Sequence, residues 1–282
     1  MQKRLERLIQ AFRESHPDAD LKLIEDAFDF AQKAHGQQKR ESGEPFVSHP
    51  LGVAEILAKL QMDEVTVAAS LLHDVVEDTE VELETIQQRF GPEVANLVDG
   101  VTKLSRLPFQ SKQEQQAESL RKMFLAMSKD IRVIIIKLAD RLHNLRTLRN
   151  LPVERQKKIA KETLEIYAPL THRLGMYRLK WEIEDLALRY LEPSEYYSLV
   201  QLVDKKRQER ERYINQVIET LQEQLVKLKV NAKIEGRPKH FYSIYQKMAK
   251  KGKEFTEIYD LIAIRVIVDS VKDCYAVLGT VH

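Results

Sequence analysis

The sequence has little of several residue types, and each shortage excludes a class of protein. It contains one cysteine, Cys274, which excludes an intramolecular disulfide and a zinc site built from cysteines. Glycine and proline number 9 each, too few for a chain dominated by loops. No apolar run approaches the roughly 20 residues of a membrane helix. The charged start, MQKRLERLIQAFRE, lacks the apolar region of a secretory signal, so a cytoplasmic protein is expected.

Net charge is also scarce. The 45 Lys and Arg residues against 43 Asp and Glu residues leave a formal charge of +2, which gives no indication of DNA binding. In contrast, 43% of residues are hydrophobic and 31% are charged, with many Leu, Glu, Lys, Arg and Gln residues. This composition favours amphipathic helices around a substantial core.

The spacing of apolar residues divides the chain into three parts. Helical spacing predicts a helical domain over residues 1–192 and a charged helical connector over 193–229. From Val230 the pattern alternates as in a strand, so a second domain with strands is predicted over 230–282. Two shorter predictions are a polar loop and a helix, at 105–113 and 114–128.

The stretch VAASLLHDVVEDT places four polar groups at the end of an apolar helix predicted over residues 63–76. These groups are His73, Asp74, Glu77 and Asp78. His73 and Glu77 are four residues apart and share a helix face, and so do Asp74 and Asp78. Charged groups among leucines and valines are costly to bury without compensation. A metal ion bound by a histidine and a carboxylate provides that compensation.

Two further candidate ligands lie elsewhere in the chain. His49 begins a helix after the predicted loop at 36–50, and Asp140 lies inside the apolar helix predicted over 131–148, sharing a face with Asn144. Each residue alone has a simpler explanation, because His-Asp dipeptides are common and helical aspartates usually form ion pairs. Two histidines and two aspartates together suit Mn²⁺, Zn²⁺ or Fe. The predicted ligands are His49, His73, Asp74 and Asp140.

These motifs resemble a known family. The order of the four ligands is similar to that of the HD phosphohydrolase superfamily. More closely, HGQQKRESGEPFVSHP, LLHDVVEDT, GVTKL and IKLADRLHNLRTL resemble the hydrolase half of the RelA/SpoT proteins, which make and destroy the alarmone (p)ppGpp. GRPKHFYSIYQKM and EIYDLIAIRVIVDSVKDCYAVLGTVH resemble the opening of the synthetase half. The resemblance implies a mainly α fold: an all-helical HD-type hydrolase domain, a helical connector and the truncated start of an α/β nucleotidyltransferase-like domain.

The resemblance also implies the chemistry of the first domain. Mn²⁺ would be held by the four ligands, and the 3′-pyrophosphate of ppGpp or pppGpp would be hydrolysed to GDP or GTP and pyrophosphate. The implied catalytic residues are Glu77 and Asp78. Which of them moves the proton is open, and their simpler role would be to cap the helix, although carboxylates are unfavourable at a helix C-terminus. The implied nucleotide contacts are Arg40, Ser42, Asn144 and Thr147.

Glu41 departs from the family pattern, because many members carry lysine after the arginine. A carboxylate near a polyphosphate repels it, so either Glu41 points away or the affinity is altered. Three further residues are candidate phosphate contacts: Lys103, Lys137 and Arg141. For each of them, an ion pair at the surface is an equal alternative.

The synthetase half transfers pyrophosphate from ATP to GDP or GTP. The implied contacts to ATP phosphates are Arg237, Lys239, Ser243 and Lys247, and the implied Mg²⁺ ligand is Asp260. Their spacing of four predicts that Lys239, Ser243 and Lys247 share one helix face. The chain ends at His282, before other catalytic residues of the family, so no synthesis is expected from it.

The expected partners are guanine nucleotides: ppGpp, pppGpp, GDP and GTP. No DNA or membrane partner is expected, the ribosome is expected only through regions outside this chain, and a homo-oligomer is left open. Two alternative functions remain at this point. One is another HD-superfamily nucleotide phosphohydrolase, and the other is a regulatory module that binds (p)ppGpp without turnover.

Overall fold

Helices form most of the described chain, which confirms the mainly α prediction. The computed structural model describes residues 1–105, 121, 125, 129–205, 207–252, 254–258 and 261–282. The loop predicted at 105–113 and the helix predicted at 114–128 therefore lie almost entirely outside the described residues. Within the described ranges, no helix has both the length and the apolarity needed to span a bilayer.

The first of two compact units, Met1–Ala187, is built from helices. They are α1 (Gln2–Ser15), α2 (Lys22–His35), α3 (Ser48–Lys59), α4 (Glu64–Leu72), α5 (Val75–Asp78), α6 (Leu83–Ser105), α7 (Ile131–Thr147), α8 (Val153–Glu162), α9 (Ala168–Arg173) and most of α10 (Tyr177–Leu191). A 3₁₀ turn and a π-helical turn follow α7 and α8, at Leu148–Asn150 and Thr163–Tyr167. Helix α6 is interrupted at Gly91, whose φ of 87° favours glycine.

Helices α3 and α4 lie at the centre of this unit. Helix α3 packs against α1, α4 and α7, and helix α4 packs against α2 and α6. Nearly every side chain of both helices is buried. This packing places His49, near the start of α3, and His73, directly after α4, in the interior of the unit.

The helix predicted to end at Val76 is two helices, α4 and α5. The two helices meet at His73 and Asp74, which form a turn that keeps right-handed helical dihedral angles. Asp63 begins α4 by accepting a hydrogen bond from the Thr66 N–H at 2.7 Å. In an unbroken helix, adjacent side chains point about 100° apart. His73 and Asp74 nevertheless contact each other, with Oδ1 of Asp74 3.0 Å from Nε2 of His73.

The second unit, Leu188–His282, contains helices and a small sheet. Its helices are the end of α10, α11 (Pro193–Lys205), α12 (Arg207–Lys227), α13 (Phe241–Lys251) and α14 (Val271–Val281), with a 3₁₀ turn at Phe255–Glu257. Strand β1 (Ala232–Pro238) pairs antiparallel with β2 (Ile262–Val268). Leu199 of α11 belongs to the buried core of this unit, so this helix is packed rather than solvated. The predicted domain bounds and their assignments stay predictions.

Asp130 caps the helix that carries Asp140. Its carboxylate accepts a hydrogen bond from the Arg132 backbone N–H at 2.9 Å and contacts the guanidinium at 2.7 Å. We expect Asp130→Ala to lower the free energy of unfolding by about 1 kcal/mol in urea denaturation. Asp130→Asn keeps the cap acceptor and should lose less, so equal losses would contradict the capping role.

The same carboxylate predicts a pH dependence of stability. Hydrogen bonding from the Arg132 side chain lowers the pKa of Asp130. The folded-state pKa is thus below the unfolded-state pKa. The stabilisation is therefore complete above the unfolded-state pKa and is lost as the pH falls through the folded-state pKa.

Candidate metal centre and adjoining pocket

Three buried side chains meet at one point in the first unit. His49 comes from α3, His73 from the turn after α4, and Asp140 from α7, and one ligand atom of each lies within 4.8 Å of the others. Nε2 of His49 is 3.2 Å from Oδ1 of Asp140. No more than 5% of any of the three residues is exposed. A carboxylate this deeply buried requires a compensating charge.

Asp74 adjoins this cluster at the position of the predicted fourth ligand. Its Oδ1 lies 3.0 Å from Nε2 of His73, and its Oδ2 lies 3.6 Å from Nε2 of His49. Its side chain is 18% exposed, so it forms the more open side of the cluster. All four predicted ligands are thus within contact distance of at least one other.

Nδ1 of His73 donates to the Ser70 carbonyl at 2.7 Å. A carbonyl only accepts, so Nε2 of the neutral ring carries a lone pair. This buried Nε2 has no hydrogen-bond partner among the described residues, since its contact with Asp74 lacks hydrogen-bond geometry. An unpartnered nitrogen beside carboxylates fits a cation, and the buried His–His–Asp cluster therefore indicates a divalent metal site.

Asp140 is held in its charged form by its neighbours. Burial opposes the charge, but the Lys137 ammonium at 2.7 Å outweighs it and holds the pKa of Asp140 well below its usual range. Burial likewise opposes the charge of Lys137, but Asp140 raises the pKa of Lys137 above its ordinary value. Asn144 adds a hydrogen bond from Nδ2 to Oδ1 of Asp140 at 2.6 Å. The carboxylate is thus ionised, as a metal ligand must be.

His143 contacts a predicted ligand that the sequence did not connect to it. Its Nδ1 lies 2.8 Å from Nδ1 of His49. Burial, with a further contribution from the charge of Arg40, lowers the pKa of His143 to about 3, so its ring is neutral. Its spacing of three residues from Asp140, which places both on one helix face, is the signal that could have found it.

The two predicted catalytic carboxylates, Glu77 and Asp78, are exposed on α5, directly after the turn. Partial desolvation and the negative charge of Asp74 raise the pKa of Asp78, although nearby histidines oppose the shift. The pKa of Asp78 therefore depends on the charges of the cluster. Gln38, in the loop predicted at 36–50, donates a hydrogen bond to the backbone carbonyl of Asp78 at 2.9 Å and so links that loop to α5.

A cavity of about 400 Å³ adjoins the cluster through Asp140, which forms part of its wall. The four predicted nucleotide contacts, Arg40, Ser42, Asn144 and Thr147, all line it. Its basic lining residues are Lys39, Arg40, Lys137, Arg141 and Arg155. Its acidic lining residues are Glu41 and Asp140, so the wall has an excess of positive charge. The size and charge suit a ligand that bears phosphates.

Arg40, Asn144 and Asp140 form a continuous chain of hydrogen bonds. Nη2 of Arg40 donates to Oδ1 of Asn144 at 3.0 Å, and Nδ2 of Asn144 donates to Asp140. Thr147 instead donates to the carbonyl of His143 in its own helix at 3.1 Å. The loop that lines the cavity is thus linked to a predicted metal ligand through Asn144.

Glu41 forms an ion pair across the rim of the cavity. Its Oε1 lies 2.7 Å from Nη1 of Arg155 on α8. Both side chains are more than half exposed, so the pair contributes little to stability. The pairing nevertheless offsets the negative charge of Glu41, which reduces its repulsion of a polyphosphate.

The other candidate phosphate contacts differ in position. Lys137 and Arg141 line the cavity, whereas Lys103 pairs with Asp99 and does not line it. Arg141 also contacts Glu162 at 3.2 Å, and its guanidinium lies 4.1 Å from the centre of the Tyr167 ring. Lys137 and Arg141 are thus fixed in place beside the cavity.

In the second unit, the predicted helix face is partly wrong. The N–H of Lys239 donates to the Leu261 carbonyl at 3.1 Å, and His240 is the cap of α13. Lys239 therefore lies before the helix. Its backbone extends the pairing between β1 and the residue that precedes β2. Ser243 and Lys247 remain four residues apart on α13.

The remaining predicted synthetase residues lie in or near the sheet. Arg237 belongs to β1, opposite Ala263. The strand continues because each of its residues through Pro238 has a partner in β2. Asp260 lies outside the described residues.

Two family models match the chain. The model described as "HD domain" matches residues 27–177, which is more than half of the chain. The model described as "Region found in RelA / SpoT proteins" matches residues 236–282. All four predicted metal ligands fall within the first match.

Curated relatives are about half identical to the chain. A GTP pyrophosphokinase of Streptomyces coelicolor is 52% identical over 99% of this chain and 33% of its own length. A bifunctional (p)ppGpp synthase/hydrolase RelA of Mycobacterium tuberculosis is 49% identical over 99% of this chain and 37% of its own. A guanosine-3′,5′-bis(diphosphate) 3′-pyrophosphohydrolase of Haemophilus influenzae is 50% identical over 89% of this chain and 37% of its own. The chain thus spans about a third of the length of these relatives.

Proposed function

Because the chain belongs to the RelA/SpoT family and carries an HD domain, we propose that its first unit hydrolyses the 3′-pyrophosphate of ppGpp and pppGpp with Mn²⁺. The products are GDP or GTP and pyrophosphate, and the cellular role is alarmone turnover in the cytoplasm during the stringent response. One observation carries the proposal: the basic cavity and the buried His–His–Asp cluster share Asp140. Relatives named as (p)ppGpp hydrolases support the substrate class.

The donor set of two histidines and two aspartates suits Mn²⁺, Zn²⁺ or Fe, and we propose Mn²⁺ because the family resemblance implies it. When bound, the ion polarises a phosphoryl oxygen and makes water more acidic. The residues that hold it are His49, His73, Asp74 and Asp140.

Residues of the protein bind the substrate, accept the proton and orient the water. The basic wall of the cavity binds the two diphosphates, with Arg40 and Asn144 beside the nucleotide. Water forms a bond to the phosphorus attached to the ribose 3′ oxygen, the bond between that phosphorus and the 3′ oxygen breaks, and the 3′ oxygen gains a proton. Asp78 accepts the proton from water, because its raised pKa suits proton exchange closer to neutral pH than an ordinary carboxylate. Glu77 orients the water.

A panel of nucleotides tests the substrate class. Purified protein with Mn²⁺ is incubated separately with ppGpp, pppGpp, a deoxynucleoside triphosphate and a cyclic nucleotide, and the products are separated by ion exchange. We expect turnover of the first two only. Turnover of the deoxynucleotide or cyclic nucleotide in preference to ppGpp would favour another HD phosphohydrolase. Binding of ppGpp without turnover would favour a regulatory module.

Arg40→Ala should weaken substrate binding without removing the metal. Loss of a charged hydrogen-bond donor costs about 1.5–3 kcal/mol, so we expect KM for ppGpp to rise roughly 10- to 100-fold. The affinity for Mn²⁺ should change little, because Arg40 reaches the cluster only through Asn144. Arg146→Ala is the matched control, since Arg146 pairs with Glu182 at the surface and does not line the cavity. An equal rise in KM in both variants would contradict the assignment.

One relative is named a GTP pyrophosphokinase and another a bifunctional (p)ppGpp synthase/hydrolase. We infer pyrophosphokinase activity for the whole protein to which this chain corresponds. Arg237, Lys239, Ser243 and Lys247 are the proposed contacts to ATP phosphates, and Asp260 the proposed Mg²⁺ ligand. Incubation of the chain with ATP, GDP and Mg²⁺ tests the expectation that it forms no ppGpp.

A further inference from the structure

The two histidines of the cluster are fixed by partners of different kinds. Nδ1 of His73 faces the backbone carbonyl of Ser70, which can only accept a hydrogen bond. Nδ1 of His49 faces Nδ1 of His143, at 2.8 Å. An imidazole nitrogen either donates or accepts, so the proton position on His49 depends on the side chain of His143.

A cation determines the direction of this hydrogen bond. Nε2 of His49 lies 3.2 Å from Asp140 and 3.6 Å from Asp74, so this nitrogen faces the metal position. Its lone pair must be available to bind a cation, which leaves the His49 proton on Nδ1. That proton is donated to His143, whose own proton is then on its Nε2.

Gly52 makes room for this arrangement. Gly52 lies three residues after His49 on α3, and the ring of His143, from α7, rests against it. A Cβ at Gly52 would lie 2.3 Å from both Cδ2 and Nε2 of His143, far inside contact distance. Any side chain at this position therefore displaces the ring.

We propose that His143 is a positioning residue that keeps the proton of His49 on Nδ1 and so presents Nε2 to the cation, with Gly52 providing the space for its ring. This inference rests on the proposed metal site and is independent of which nucleotide is hydrolysed. It assigns to His143 the function of a partner that orients a metal ligand, a class of contact that contributes about 10- to 100-fold to metal affinity.

Two variants of nearly equal shape separate hydrogen bonding from packing. Asparagine has an acceptor at the position of Nδ1 of histidine, whereas leucine has a methyl group there. Calorimetric titration with Mn²⁺ alone should show affinity within about threefold of the wild type for His143→Asn and about 10- to 100-fold weaker binding for His143→Leu. Equal affinities in the two variants would overturn the proposal.

Glycine substitutions provide a second test that removes no polar group. Gly52→Ala should weaken Mn²⁺ binding about 10-fold or more by moving His143. Gly100→Ala is the control, because its Cβ would also meet a buried side chain, 2.7 Å from Cγ2 of Val133, away from the cluster. The control should lose stability and keep its Mn²⁺ affinity, and unchanged affinity in Gly52→Ala would count against the proposal.

These measurements separate this inference from the proposed function. A wild-type protein that binds Mn²⁺ but leaves ppGpp intact would refute the hydrolase while the binding data still tested His143. Active hydrolysis together with equal Mn²⁺ affinities of the asparagine and leucine variants would refute the role of His143 alone.

Discussion

Asp78→Asn is expected to lower turnover of ppGpp by about 10²- to 10⁴-fold, the range for loss of a positioned general base. Binding of Mn²⁺ should be nearly unchanged, because Asp78 is not one of the four proposed ligands. Single-turnover kinetics with saturating Mn²⁺ measure the first quantity, and calorimetry measures the second. Near-normal turnover with the metal bound would show that this carboxylate does not carry the proton.

Glu77→Gln is the matched comparison, since it removes the neighbouring charge on the same short helix. A much smaller loss than in Asp78→Asn assigns the proton to Asp78, and a larger loss assigns it to Glu77.

The pH dependence provides a second measurement of the same assignment. A base must be unprotonated, so the rate falls as the pH decreases through the raised pKa of Asp78. The wild type should lose activity at a higher pH than an ordinary carboxylate implies. This acidic limb should be absent from the residual activity of Asp78→Asn.

Asp140→Asn is expected to remove both metal binding and hydrolysis. Asp140 contributes an ionised oxygen to the cluster, and Mn²⁺ affinity should fall by more than the roughly 100-fold maximum of an outer partner. The Lys137 ammonium also loses the carboxylate that it contacts at 2.7 Å in the interior. Breaking a buried pair of this kind costs about 3–5 kcal/mol, so the metal-free protein should also be less stable.

Asp99→Asn is the control for this second prediction. It removes the carboxylate of the surface ion pair with Lys103 and should change stability by less than about 1 kcal/mol. Calorimetry and urea denaturation of both variants give the comparison. Wild-type Mn²⁺ affinity in Asp140→Asn would contradict the assignment of Asp140 as a ligand.

The helical fold could be predicted from sequence because apolar residues recur with helical spacing and breaks coincide with Gly and Pro. Pro50 lies in the first turn of α3, and Gly91 interrupts α6. The break at His73 and Asp74 could not be predicted in this way, since the apolar spacing continues through Val75 and Val76. Asp74 also lies 3.6 Å from His49 of α3, a tertiary contact that the local spacing does not contain.

Only part of the candidate site could be predicted from the sequence. The types and order of His49, His73, Asp74 and Asp140 sufficed to bring them together, because polar groups on apolar helices require partners. The contact between His143 and His49 depends on the packing of α7 against Gly52, which neither local sequence contains. The pairing of Glu41 with Arg155 likewise joins residues far apart in the chain.

Phosphorus NMR of ppGpp provides the most direct measurement of the central claim. Protein stripped of metal by a chelator is mixed with ppGpp, and spectra are recorded before and after Mn²⁺ is added. We predict no change before the addition, and afterwards loss of the 3′-diphosphate signals, appearance of pyrophosphate and retention of the 5′-diphosphate of GDP. An intact 3′-diphosphate in the presence of protein with bound Mn²⁺, or loss of the 5′-diphosphate instead, would contradict the account.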